Sequence, residues 1–126
     1  PPRQGPHRAL RVAASVLARA NRIVRADDYR NTVRRGRKSG TAHSVVYVRR
    51  RDDDAVRFGF IVAKTVGNAV ARNTVRRRLK HVCHDLLPGV PPGTDVVIRA
   101  LPGSLDVPWS TLLRDISGVV DKVVGQ

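Results

Sequence analysis

Between Lys64 and Lys80 the chain carries six basic side chains and no acidic one: Lys64, Arg72, Arg76, Arg77, Arg78 and Lys80. The same stretch has to form a helix that packs. Gly67-Asn68 opens it, and Asn68 is suited to an N-cap, because its side-chain oxygen can accept a free amide of the first turn. No Gly or Pro follows until Pro88-Gly89, so the spacing predicts a helix from Asn68 to about Leu87. At 100° per residue Ala71, Val75, Leu79, Val82, Cys83 and Leu86 share one stripe, which must face a core. Arg72, Arg76 and Lys80 follow along one edge of that stripe, and Asn73 and Arg77 extend the row outward. Basic groups flanking a packing seam can wall a groove. A merely solvated face normally mixes signs, and this one meets no acid before Asp85.

The rest of the chain has the same bias. In 126 residues, Lys and Arg number 24 against 10 Asp and Glu, a formal charge of +14. Such an excess repels itself in a compact state, so a polyanionic partner is implied. The excess is mostly arginine, whose planar fork suits bidentate phosphate contacts and stacking on bases. A membrane surface is the other common polyanion. No apolar run is long enough to span a bilayer, and no basic helix has the exposed apolar face of an interfacial anchor. The length suits one modest core. Cys83, the single cysteine, falls on the apolar stripe and has no internal disulfide partner, which fits a buried thiol in a reducing, cytoplasmic setting.

Elements follow from pattern and punctuation. Pro1–Ala20 is rich in Pro, Arg and Ala without an apolar stripe and is expected to be a mobile basic arm, with one domain over residues 21–126. Asn21–Arg35 contains a short helix with Asp27 and Asp28 near its start and Gly36 as its stop. His43–Arg50 and Arg57–Ala63 alternate as strands, and Arg51-Asp52-Asp53-Asp54 is expected as a hairpin loop between them. Thr94–Ala100 is apolar enough to be an inner strand. From about Pro108 to Val124, Trp109, Leu112, Leu113, Ile116, Val120 and Val123 repeat at helical spacing. The order α-β-β-α-β-α predicts an α+β fold with one small sheet.

Enzyme motifs are scarce. The chain lacks a Walker loop, Gly-x-Gly-x-x-Gly and Gly-x-Ser-x-Gly. His81, Cys83 and His84 lie close in sequence, but helical phase turns His84 away from Cys83, and a zinc site needs further ligands. Asp52-Asp53-Asp54 reads as a charged turn. A basic helix beside a sheet with aromatics suits nucleic acid better, with Tyr29 and Tyr47 as the candidates for stacking on bases.

The run Lys64-x-Val66-Gly67-Asn68-Ala69-Val70-x-Arg72-Asn73-x-x-Arg76-Arg77-x-x-Lys80 resembles the signature of the bacterial ribonuclease P protein subunit. The resemblance extends over roughly Asn21–Val123 and includes Asn21-Arg22, Asp28-Tyr29, Gly36, Tyr47 and the Asp95–Ile98 strand. It implies a fold like ribosomal protein S5 domain 2, with a left-handed β-α-β crossover in place of the usual right-handed one. It also implies a function. The protein supports a catalytic RNA subunit that uses Mg²⁺ to remove the 5′ leader of precursor tRNA. By position, the resemblance makes Gly67, Asn68, Arg72, Asn73, Arg76, Arg77 and Lys80 contacts to the RNA subunit. It makes Asn21, Arg22, Tyr29, Val33, Tyr47 and Lys64 contacts to the leader or precursor tRNA, in a cleft between the sheet and the first helix. The chain departs from the pattern at Val33, where the family often has an aromatic, and at Thr65, where a second basic residue is common. Residues Pro1 to about Ser15 lie upstream of the usual family start. A structural RNA-binding protein of ribosomal type is the competing reading. A helix-turn-helix regulator is disfavoured, because the basic helix has no evident preceding partner helix.

Overall fold

The computed structural model describes residues 17–124. Three helices and four strands follow one another: α1 (Ala26–Arg35), β1 (Arg37–Gly40), β2 (Ser44–Arg50), β3 (Val56–Ile61), α2 (Ala69–Leu86), β4 (Thr94–Ala100) and α3 (Trp109–Val124). The strands form one mixed sheet in the order β1-β2-β4-β3. The fold is therefore α+β with a single small sheet.

Two expectations about the sheet need correction. Arg37–Gly40 is a strand that the sequence does not announce. Its residues, Arg-Lys-Ser-Gly, include no β-former, and the strand exists because it pairs antiparallel with β2, Arg37 opposite Val48 through Gly40 opposite Val45. The Arg51–Asp54 turn is not a hairpin loop either. β2 pairs antiparallel with β4, and β3 pairs parallel with β4, so β4 lies between the two strands that the turn joins. Arg50 and Val56 both stand opposite Thr94. The turn therefore crosses two strand spacings, about 10 Å, over the start of β4. The most apolar strand takes the middle position, where both of its edges are hydrogen-bonded and both faces can be covered.

The sheet separates a large core from a small one. On one face Val46, Val48, Phe58, Val96 and Ile98 meet Val75, Leu79, Val82 and Cys83 of α2 and Leu112, Ile116, Val120 and Val123 of α3. These are most of the α2 and α3 stripes expected from helical phase; Leu86, Trp109 and Leu113 pack against the cluster while partly exposed, and Ala71 is not part of it. On the other face the buried hydrophobic cluster is small, Ile23, Tyr47 and Val97 among the described residues, with Tyr29, Val33, Val45 and Ile61 packed around them. The single short helix α1 covers this second face, so part of it is left open.

Most of the mobile arm expected over Pro1–Ala20 lies outside the described residues. Its described end is ordered: Leu17 is fully buried in the large core, and Arg19–Asn21 forms a 3₁₀ turn.

Polar contacts fix α1 on the sheet. Asp95 of β4 is fully buried and receives two bonds from Arg57 of β3, Nε to Oδ1 at 3.0 Å and Nη2 to Oδ2 at 2.8 Å. Arg57 Nη1 reaches Asp28 in the first turn of α1 at 3.2 Å, and Arg51 Nε lies 3.0 Å from Asp95 Oδ1. The bonds to Asp95, with Asp28 beside them, hold the Arg57 guanidinium above its already high range. At its other end α1 stops at Gly36, whose N–H bonds to Thr32 O at 2.9 Å. A Cβ at Gly36 would stand 2.4 Å from Thr32 O and 2.8 Å from Val48 O, so only glycine lets the chain turn directly from helix into β1.

Candidate nucleic-acid interface

The start of α2 is built as the sequence suggests. Gly67 has φ 156° and ψ −168°, a backbone region essentially reserved for glycine, and a Cβ there would also stand 2.7 Å from that of Ala71. It turns the chain into Asn68, whose Oδ1 accepts from Ala71 N at 2.9 Å. Gly67 and Asn68 thus set the direction of the helix, and through it the positions of the cations that follow.

Those cations differ in their surroundings. Arg76 donates from Nη1 to Asn73 Oδ1 at 3.0 Å, so the asparagine steadies the arginine one turn on. Arg77 is exposed, and Arg72 and Lys80 are half-buried. Among the described residues none of Arg72, Arg76, Arg77 or Lys80 forms an ion pair. Arg72 Nε is shielded from solvent and has no protein acceptor. Arg78 is different. It turns back and donates to Leu105 O at 2.8 Å and to Val107 O, tying α2 to the loop before α3. Its position in the basic run is therefore structural. Val70 lies 75% exposed in the first turn, so the outer face of α2 is basic with one apolar contact point.

A groove opens on the other face of the sheet beside α1. It has a volume of about 270 Å³ and is lined by Tyr29, Arg30, Val33, Arg34, Ile61 and Arg99. Tyr29 forms its end wall. The Tyr29 ring rests on Gly59, where a Cβ would stand 2.5 Å from Cε1, and its hydroxyl accepts from Phe60 N at 3.1 Å. The opposite side of Tyr29 borders a second hollow of about 410 Å³, lined by Arg19, Arg22, Ile23 and Val24. Tyr29, Val33 and Arg22 are thus brought together. Tyr47 is beneath them and only 3% exposed, with the Arg99 guanidinium 5.7 Å above its ring. Tyr47 lines neither hollow, and Arg99, not a base, covers its face.

Other expected residues have different surroundings. Asn21 donates from Nδ2 to Val56 O at 2.8 Å, which straps the segment before α1 onto β3. Lys64 is exposed in a 3₁₀ turn three residues beyond Ile61 of the groove. The arginine ladder of α2 lines neither hollow, so the expectation that it walls a groove is not met by them. Basic surface therefore lies on both sides of the sheet. Arg30, Arg34 and Arg99 were not singled out from sequence. Arg99 was legible as the one charge interrupting the apolar half of β4, in step with Val97 on the α1 side. Arg30 and Arg34 could have been found by their i, i+4 spacing with the Tyr29–Val33 pair.

Comparison with known proteins bears on the fold and the family. Residues 17–124 match the family model described as Ribonuclease P. The Ribonuclease P protein component of Clavibacter michiganensis is 52% identical over 110 residues, covering 86% of this chain and 97% of that protein. The one from Streptomyces griseus is 40% identical over 119 residues, covering 87% and 97%. Among solved structures, the RNase P protein of Staphylococcus aureus superposes with a TM-score of 0.72 at 24% identity, covering 84% of this chain and 99% of that one. That of Thermotoga maritima gives 0.73 at 20% identity, covering 81% and 96%. The two solved structures bear on the fold, while the family match and the close relatives carry the assignment: this chain belongs to the bacterial ribonuclease P protein family, the protein component of a tRNA-processing ribonuclease.

Proposed function

We propose that this protein assembles with the catalytic RNA subunit of ribonuclease P through α2 and takes the 5′ leader of precursor tRNA in the groove beside α1. The observation that carries the reading is the set of four α2 cations without a carboxylate partner, Arg72, Arg76, Arg77 and Lys80. In this reading they meet phosphates, with Asn73 holding Arg76 in place and Gly67-Asn68 aiming the helix. The groove supplies phosphate contacts from Arg30, Arg34 and Arg99, and Tyr29 and Val33 offer apolar surface to an unpaired base. Tyr47 acts by fixing Arg99. Arg22 and Lys64 extend the path at either end, and Asn21 contributes by holding the segment that carries Arg22.

Phosphodiester hydrolysis is assigned to the RNA. Mg²⁺, which would supply charge neutralisation and an activated water there, is assigned to the RNA as well. Among the described residues no group of three or more His, Cys, Asp or Glu is placed to hold a metal ion. The chain's own work is to position the leader and to screen phosphate repulsion. A cytoplasmic setting follows from this role; among the described residues no helix is long and apolar enough to cross a membrane.

The test is cleavage of precursor tRNA by a bacterial ribonuclease P RNA at low Mg²⁺, with and without this protein. The expected result is stimulation that grows with leader length up to the extent of the groove. Salt-sensitive affinity for any RNA, with no stimulation and no leader dependence, would favour a structural RNA-binding protein of ribosomal type.

A further inference from the structure

A third basic hollow lies away from α2 and from the α1 groove. β1 begins at Arg37, opposite Val48, while β2 runs on through Arg49 and Arg50 with β4 as its partner. The C-terminal turn of α3 closes the notch left at this edge. The notch measures about 370 Å³, with Arg35, Arg37, Arg49 and Arg50 around it and Val48, Val123 and Val124 as its apolar floor. It lies at the opposite end of the sheet from the groove. Val45, which stands opposite Arg99, is five residues from Arg50 along β2, a distance of about 17 Å. The two hollows also take opposite flanks of α1: Tyr29, Arg30, Val33 and Arg34 border the groove, and Arg35 borders the notch.

Ordinary structural roles do not account for this charge. Arg49 stands opposite Asp95, but that carboxylate is already bonded to Arg57 and lies against Arg51. Among the described residues Arg35, Arg49 and Arg50 form no ion pair. The C-termini of α1 and α3 each present roughly half a negative charge, which together offset about one of the three charges of Arg35, Arg49 and Arg50. A charged edge strand discourages sheet-to-sheet association, but Arg35 belongs to a helix and Arg49 to a strand already paired with β4.

We propose that the notch binds one nucleotide unit of an RNA strand, with its phosphate on Arg35, Arg49 and Arg50 and its ribose or base on the valine floor. Its volume is in the range of small-ligand sites, and a basic rim over an apolar floor matches a nucleotide's two chemistries. Clustered guanidinium forks suit a phosphate with several acceptor oxygens better than the single carboxylates of an acidic peptide. The notch is separate from α2 and from the groove, so it would anchor a second segment of RNA on this small protein.

The experiment titrates the full chain, labelled with ¹³C in its valine methyls, with 5′-phosphorylated tetrauridylate at low salt. The expected result is shifts at Val48, Val123 and Val124. These are lost in Arg49→Ala/Arg50→Ala, while shifts at Val33 and Val45 beside the groove persist and the core methyls of Val46, Val75 and Val82 keep their positions. If that variant does not fold, Arg35→Ala, at an exposed helix end, tests the same prediction. Unmoved notch valines would overturn the proposal. So would shifts that survive the substitutions, or equal displacement of the RNA by an octaglutamate peptide, which would mark a protein partner. Silence at the notch alone sinks only this inference; silence at Val33 and Val45 as well would also count against RNA binding in the groove.

Discussion

Asp95 is fully buried, and it organises the basic side chains around it. Its two bonds from Arg57 and its contact with Arg51 replace the water it has lost, and through Arg57 it reaches Asp28 and α1. Removing one partner of such a cluster leaves buried charge uncompensated. Asp95→Asn should therefore cost about 3 kcal/mol, read as a lower urea midpoint, with α1 losing amide-exchange protection before the core does. A change below about 1 kcal/mol would mean that water already shares the site. Gly59 is the second residue on which the groove depends, because the Tyr29 ring occupies the space of its missing side chain. Gly59→Ala should displace that ring, break its bond to Phe60 N and cost about 1–3 kcal/mol in urea unfolding. It should also weaken leader binding more than binding to the RNA subunit. Equal losses in both assays would contradict the separation of the two surfaces.

Within α2, adjacent arginines have opposite duties. Arg77 points to solvent, whereas Arg78 is committed to Leu105 O and Val107 O. Arg78→Ala should lower stability by about 1.5–3 kcal/mol, the range for a charged hydrogen bond, with little change in RNA affinity. Arg77→Ala should leave the melting temperature in place and flatten the log-log salt dependence of RNA binding by about 0.7–0.9 for each phosphate no longer neutralised. Arg76→Glu with Arg77→Glu should abolish assembly while circular dichroism stays native. Unfolding of that double variant would place those arginines in the structure instead. The phase of the apolar stripe identified which face of α2 is buried. It could not separate Arg78 from Arg77, because the partners of Arg78 are carbonyls 27 and 29 residues away in sequence.

For the whole molecule, the buried thiol links stability to pH. Cys83 is fully buried, and desolvation pushes its pKa well above the ordinary value. In the unfolded chain a cysteine ionises near pH 8.5. Below that value both states hold the proton and Cys83 adds no pH dependence. Above it the unfolded chain releases the proton first, so stability should fall by up to about 1.4 kcal/mol per pH unit until the folded thiol also ionises. Urea midpoints of the wild type and Cys83→Val, compared between pH 7 and pH 9.5, isolate this contribution. Parallel curves would show that the thiol is not held neutral by the core. Labelling by a thiol reagent at pH 8 should likewise require unfolding.

Much of the protein was legible from local rules. Helical phase assigned the buried faces of α2 and α3, the Gly67-Asn68 pair announced its own cap, and the unopposed cations of α2 were evident by count. These features depend on neighbours within a few residues, where geometry is fixed by the backbone. Four other features depended on tertiary structure. β4 entered between β2 and β3, a segment without a β-former became the edge strand β1, Leu17 joined the core, and Tyr47 disappeared under Arg99. In each case the deciding partner is remote in sequence, and the gain from burying surface or pairing a strand overrides what the segment would prefer alone.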